Sequence, residues 1–199
     1  MANWLGITAV AMGIALASPA LAVNLAGVEI APLIRAEGET RIWPLLGSAL
    51  VHRSFIPFYG LALHGPPDAL TQGELSQGLI PVQITLVWYA NELPKAQVEE
   101  HFRKLFEQVS DAETLKRVAP RLDKFIALLP AAKRGEQIVI HYTPDGGAKV
   151  QVENGQTGHF AGIEFNRALL GLWLGPAADP LVRESLTKPA ASSPAEKLR

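Results

Sequence analysis

The sequence predicts an α+β domain in which a mainly antiparallel, curved β-sheet packs against a layer of helices, an open β-sandwich. Three observations predict it. Strand-like segments fill the first part of the chain, two amphipathic helical segments follow in the middle, and a hairpin and one apolar helix close it. Runs of strands followed by runs of helices argue for segregated sheet and helix layers rather than alternating βαβ units. Val82 to Tyr89 alternates Val82, Ile84, Leu86 and Trp88 against Gln83, Thr85, Val87 and Tyr89, one face being wholly apolar, as a central strand requires. The chain has 199 residues and no cysteine, so the fold must be held by packing alone.

From the amino terminus, the first 22 residues carry no charge, run apolar from Trp4 to Ala17 and end in Ser18-Pro19-Ala20-Leu21-Ala22. Small residues at the positions a signal peptidase reads predict a secretory signal peptide over residues 1–22 and a periplasmic or secreted protein without stable membrane insertion after cleavage. No Lys or Arg precedes the apolar run, which leaves an uncleaved anchor as the alternative. One domain is expected over residues 23–187, followed by a disordered tail over 188–199, rich in Ala, Ser, Pro and Lys and without apolar periodicity.

Within the domain, Val28 to Ile42 reads as short extended pieces and a first hairpin. Ile42 to Leu50 and Ser54 to His64 read as two adjacent strands, interrupted by Gly47, Pro57 and Gly60 where a bulge or a close backbone approach is tolerated. Asp68 to Gly78 is polar and reads as a surface loop. Pro94 opens a helix whose apolar residues Val98, Phe102, Leu105, Phe106 and Val109 form one stripe. Asp111 suits the N-cap of a second helix carrying Leu115, Val118, Leu122, Phe125 and Leu129, which Pro120 should kink or split. Glu136 to Thr143, the turn Pro144-Asp145-Gly146-Gly147, and Ala148 to Asn154 form a hairpin with Ala148, Val150 and Val152 on its apolar face. A helix from Gly162 to Gly175 and a short segment from Asp179 to Leu186 complete the domain, and the helical spacing of Trp173 and its neighbouring leucines reads as core.

Composition excludes several function classes. The formal charge is −1, with 18 basic and 19 acidic residues, so no broad field draws the chain to nucleic acid. His52, His64, His101, His141 and His159 show no metal-ligand spacing and no accompanying carboxylate cluster. No Gly-x-Ser-x-Gly elbow or phosphate-cradling loop occurs, and no metal or cofactor is expected. His101 and Gln108 lie seven apart and share one helix face, the placement of two donors looking into a cleft or of two residues at the edge of an exposed face.

The order of these elements, together with Gly135 to Pro144, Asn154-Gly155 and the helix from Phe165 to Gly175 with its Leu-Trp-Leu-Gly ending, resembles the chalcone isomerase-like family, in particular its secreted bacterial branch. The resemblance covers about Val28 to Leu186; Phe55 to Leu63 matches more loosely. It implies a cleft between sheet and helices, which the plant enzymes use to close a flavonoid ring and non-catalytic relatives use to hold a fatty acid by an Arg and a Tyr. Tyr59 stands where the plant pattern has Thr, Arg53 is the nearest counterpart of its Arg, His101 replaces the catalytic Tyr, Gln108 its partnering Asn, and Asn166 a Ser or Thr. With these positions changed, the expectation is a non-catalytic protein binding a fatty acid or similar small amphiphile through Arg53, Tyr59, His101, Gln108 and Asn166, with no catalytic residue assigned. The alternatives are an intramolecular lyase or isomerase acting on an enone or phenol, and an envelope structural or partner-binding protein whose cleft is filled by its own side chains.

Overall fold

The computed structural model describes residues 22–38, 40–66 and 72–187. The expected signal peptide, apart from Ala22, and the expected tail lie outside these residues. Seven strands form one antiparallel sheet: β3 (Leu33–Ile34), β4 (Trp43–Arg53), β5 (Ile56–His64), β6 (Val82–Trp88), β9 (Gln137–Thr143), β10 (Gly147–Val152) and β11 (Thr157–Phe160). Their spatial order is β11-β10-β9-β6-β5-β4-β3, so β6 is the central strand, as its alternation predicts. Val82, Ile84, Leu86 and Trp88 enter the main core, while Val87 and Tyr89 belong to a smaller cluster on the opposite face. That second face is covered by the hairpin of β1 (Val23–Leu25) and β2 (Val28–Ile30), which packs Leu25 and Ile30 against Ala62 and Val87. Two further short strands, β7 (Glu92–Leu93) and β8 (Ala132–Lys133), pair with each other at the ends of the helical layer.

The helices cover the main core. In α2 (Lys95–Val109), Val98, Phe102 and Phe106 are buried and Leu105 and Val109 are half-buried, which is the single stripe read from the sequence. α3 (Ala112–Leu128) starts at the expected cap, where Asp111 Oδ1 accepts from the Thr114 amide at 2.8 Å. α4 (Ile163–Leu174) is the most buried helix, and α5 (Pro180–Thr187) lies along β4. Phe102, Phe106, Phe125, Phe160 and Phe165 interlock between α2, α3, α4 and β11 with ring centroids 5.3–6.2 Å apart.

Several expectations are corrected. The polar stretch before Gly78 is not only loop: α1 (Gln72–Ser76) forms there and buries Leu75. Thr157–Phe160, to which the sequence assigns no element, pairs with β10 as an edge strand. α3 is not split at Pro120; the proline lies on the exposed side of the helix, as does Lys116, the residue whose carbonyl loses its helical donor.

The interruptions of β4 and β5 have the two roles expected of them. The pairing shifts register between Leu45 and Gly47, and again where Val51 faces Tyr59 and His52 faces Pro57. Phe58 is the extra residue at the second shift, and both Phe58 and Tyr59 enter the main core where strict alternation would send one away. Gly47 is required by a close approach: a Cβ there would collide with the carbonyl oxygens of Ser185 and Leu186 in α5. Gly47→Ala should therefore lower stability by about 1–3 kcal/mol. Gly171→Ala, inside α4 with nothing near its would-be Cβ, should raise it by about 0.5–1 kcal/mol. Urea unfolding of the two variants tests both signs.

Candidate functional site

A cleft of about 670 Å³ opens between β4–β5 and the helices α2, α4 and α5, a volume suited to a small organic ligand. Its apolar wall includes Val51, Phe58, Leu105, Leu172, Trp173 and Val182. Its polar groups include Arg53, Tyr59, Glu100, His101, Lys104 and Gln108. Each comes from a local feature. Arg53 ends β4 just before the turn, the register shift at Phe58 directs Phe58 and Tyr59 inward together, and one face of α2 presents His101, Leu105 and Gln108.

Tyr59 is wholly buried. Its hydroxyl oxygen accepts from the Trp173 indole Nε1–H at 3.1 Å, which leaves the hydroxyl's own hydrogen available for donation. Burial pushes the phenol pKa up, against the smaller opposing effect of the indole bond, so the group is a neutral donor at physiological pH. Burial also holds His101 down to about 4, with the nearby Arg53 charge adding to the effect. Its ring lies against Phe58 at 4.8 Å and Tyr59 at 5.5 Å, and its buried Nε2 has no hydrogen-bond partner among the described residues. Such an atom next to a cleft is a place for a ligand or water to bond.

Charge in the cleft is uneven. Lys104 pairs with Glu100 at 2.6 Å, and Asp179 caps α5 by accepting from the Leu181 amide at 2.8 Å. Arg53 forms no ion pair among the described residues; its guanidinium sits over the Phe58 ring at 5.7 Å. One end of the cleft therefore offers a cation without an ion pair among the described residues, a neutral phenol and a neutral imidazole beside an apolar wall.

The structure brings Arg53, Tyr59, His101 and Gln108 to this one cleft. Asn166 does not line it. It is 2% exposed, and its Nδ2 donates to the carbonyls of Phe160 and Gly162, both at 3.0 Å, tying α4 to the end of β11. Its Nδ2 is occupied by this backbone work near the start of a helix that begins at a glycine with φ of 102°, while its buried Oδ1 has no hydrogen-bond partner among the described residues. Trp173, read from sequence as core, is both core and cleft wall, and it orients Tyr59. Periodicity marks only that it is buried. Among the described residues no cluster of three or more His, Cys, Asp or Glu could hold a metal ion, and no helix is long and apolar enough to cross a membrane.

The half-open sheet, its helical cover and the cleft between them define a protein of the chalcone isomerase fold. Residues 22–186 match the chalcone isomerase-like family model, and the chain belongs to that family. Among solved structures, it is similar to an Arabidopsis thaliana fatty-acid binding protein with a TM-score of 0.63 and 19% identity, over 81% of this chain and 92% of that one. No curated protein sequence matches it.

Two outcomes follow from the cleft chemistry. Tyr59→Phe strands the Trp173 donor and should cost about 1–3 kcal/mol, and less on a Trp173→Phe background where no donor is stranded; urea melts of the four-member cycle measure the coupling. As pH falls below the ordinary histidine value of 6.5, the unfolded chain takes up a proton that folded His101 refuses until about pH 4. Stability should thus be full above 6.5 and decline towards 4, with His64, also lowered by burial, adding to the slope. His101→Gln should remove on the order of 2 kcal/mol of that decline, read from unfolding midpoints across the window.

Proposed function

We propose that the chain is an exported, non-catalytic member of its family that binds a fatty acid or a similar small amphiphile in the cleft. The observation that carries this reading is the pairing of the unpartnered Arg53 cation and the neutral Tyr59 and His101 donors with an apolar wall in one cavity. A carboxylate head would take the guanidinium as counter-charge and accept from the Tyr59 hydroxyl, whose hydrogen the Trp173 bond leaves available. Gln108 would offer its side-chain amide farther along α2, and the tail would lie against Val51, Leu172 and Val182. The likeness to a fatty-acid binding protein supports the same reading. Export rests on the uncharged, apolar first 22 residues and their small-residue ending.

A second reading, an intramolecular lyase or isomerase acting on an enone or phenol, rests on the neutral His101 ring with its unpartnered Nε2 beside Tyr59. Turnover of an enone panel followed by absorbance, abolished by His101→Ala, would replace the carrier reading.

Native mass spectrometry of gently purified protein, before and after delipidation, tests the carrier reading directly. The expected result is an adduct of fatty-acid mass that disappears on extraction and returns on adding palmitate. A bare polypeptide in every sample overturns it and favours a cleft that works without cargo. Arg53→Ala should weaken palmitate binding about tenfold, the loss of one charge-assisted contact. Because Arg53 is exposed at a strand end, that change should leave the melting temperature nearly unaltered, whereas Tyr59→Phe lowers stability as well as affinity.

A further inference from the structure

The turn that joins β4 to β5 presents an apolar tip that neither turn geometry nor solvation accounts for. Arg53 pairs with Ile56, so Ser54 and Phe55 form a two-residue loop, with φ of 50° and 68°. Loops with φ positive at both positions favour Asn-Gly or Asp-Gly, because bulky side chains are strained there. Here the second position is an aromatic residue that is 99% exposed, and Ile56 beside it is 69% exposed.

The surroundings are basic. A hollow of about 430 Å³ behind the tip is lined by Arg53, Ile56, Pro57, Phe58, Tyr89 and Arg134, among others. Arg134 is held there, its guanidinium over the Tyr89 ring at 5.3 Å and its Nη1 donating to the Tyr89 carbonyl at 3.2 Å. Neither Arg53 nor Arg134 forms an ion pair among the described residues. Glu100, whose carboxylate feels the Arg53 charge, is taken by Lys104, and Glu92 lies opposite Lys133 on the β7–β8 ladder.

We propose that the Ser54-Phe55-Ile56 tip docks the protein on an anionic lipid surface, Phe55 and Ile56 entering the acyl boundary while Arg53 and Arg134 meet the headgroups. A lipid surface fits better than a protein partner because a stable protein interface covers about 800 Å² on each side. Two side chains on a convex turn offer a fraction of that area, whereas an apolar point with a cationic collar suffices for weak, reversible membrane attachment. Arg53 lines both the hollow behind the tip and the cleft, so docking turns the Arg53 end of the cleft towards the bilayer. Transfer of an amphiphile between bilayer and cleft rests on the function proposed above; docking itself does not.

The absence of cysteine lets a single introduced thiol carry a probe. An environment-sensitive fluorophore on Ser54→Cys of the full chain, mixed with vesicles of phosphatidylcholine and phosphatidylglycerol in equal parts, should brighten and be quenched by nitroxides on the acyl chains. The readout must be local, because the apolar run from Trp4 to Ala17 can itself bring the chain to a vesicle. The same probe on Asp145→Cys, exposed in the turn at the opposite end of the sheet, should stay silent. Adding Phe55→Ser and Ile56→Ser should raise the lipid needed by roughly tenfold or more. Arg53→Gln with Arg134→Gln should erase the preference over vesicles of phosphatidylcholine alone. Silence at residue 54, an equal response at residue 145, or indifference to Phe55→Ser and Ile56→Ser overturns docking. So does a response at residue 54 that follows protein concentration without lipid, which would make the tip a self-association surface. Palmitate binding in solution, measured on the same variants without vesicles, separates failure of docking from failure of the carrier reading.

Discussion

The indole–phenol hydrogen bond between Trp173 and Tyr59 spans the molecule from its last large helix to its sheet, and the cleft depends on it. Both rings are almost wholly buried, so the bond is shielded from competing water. It fixes the distance of α4 from β5 and settles which way the Tyr59 hydrogen can point. Without it, a large aromatic pair could meet the apolar requirements of the core in several ways and the cleft wall would lose its single arrangement. In a chain without cysteine, such a specific polar contact inside an otherwise apolar core does the positioning that a covalent tie does elsewhere.

The electrostatics of the cleft grow out of the same burial. Tyr59 and His101 are both kept neutral by desolvation, and the imidazole is pushed further by Arg53. Arg53 is thereby left as the cation of the cleft without an ion pair among the described residues, since Lys104 is taken by Glu100, while the Asp179 carboxylate caps α5. A site with one cation and neutral donors suits a monoanion better than a phosphate or a dication, and the apolar wall suits a ligand that is mostly hydrocarbon. The sheet–helix architecture creates the space; these side chains give it a polarity.

How much of this was legible in the sequence follows from how local each signal is. β6 and the stripe of α2 could be read because their periodicity is strict, and the cap of α3 because Asp111 acts on an amide three residues away. The outer hairpin was marked by its Pro-Asp-Gly-Gly turn. β11 was hidden because Thr157-Gly158-His159-Phe160 has no alternation of its own and becomes a strand only by pairing with β10. Four of the five residues named for the site share the cleft, and they were found through two turns of one helix and a family pattern. Asn166 lies outside the cleft lining, which the sequence could not show, because polarity at a helix start serves a ligand and a backbone carbonyl equally well and only the fold reveals the carbonyls of Phe160 and Gly162. Trp173 was read as packing because periodicity reports burial and says nothing of where an indole N–H points.

The register shift at Phe58 has a consequence for how such a cleft can arise. Alternation along β5 would allow only one of two neighbouring rings to face the helices; the extra residue lets both do so. Removing Phe58 would restore regular pairing between β4 and β5 and take one of the two rings out of the cleft wall, leaving Tyr59 opposite Val51. In this fold, the insertion or deletion of a single codon in β5 can therefore add or remove part of the cleft wall, so chains that share almost all their residues can differ in the shape of the cleft.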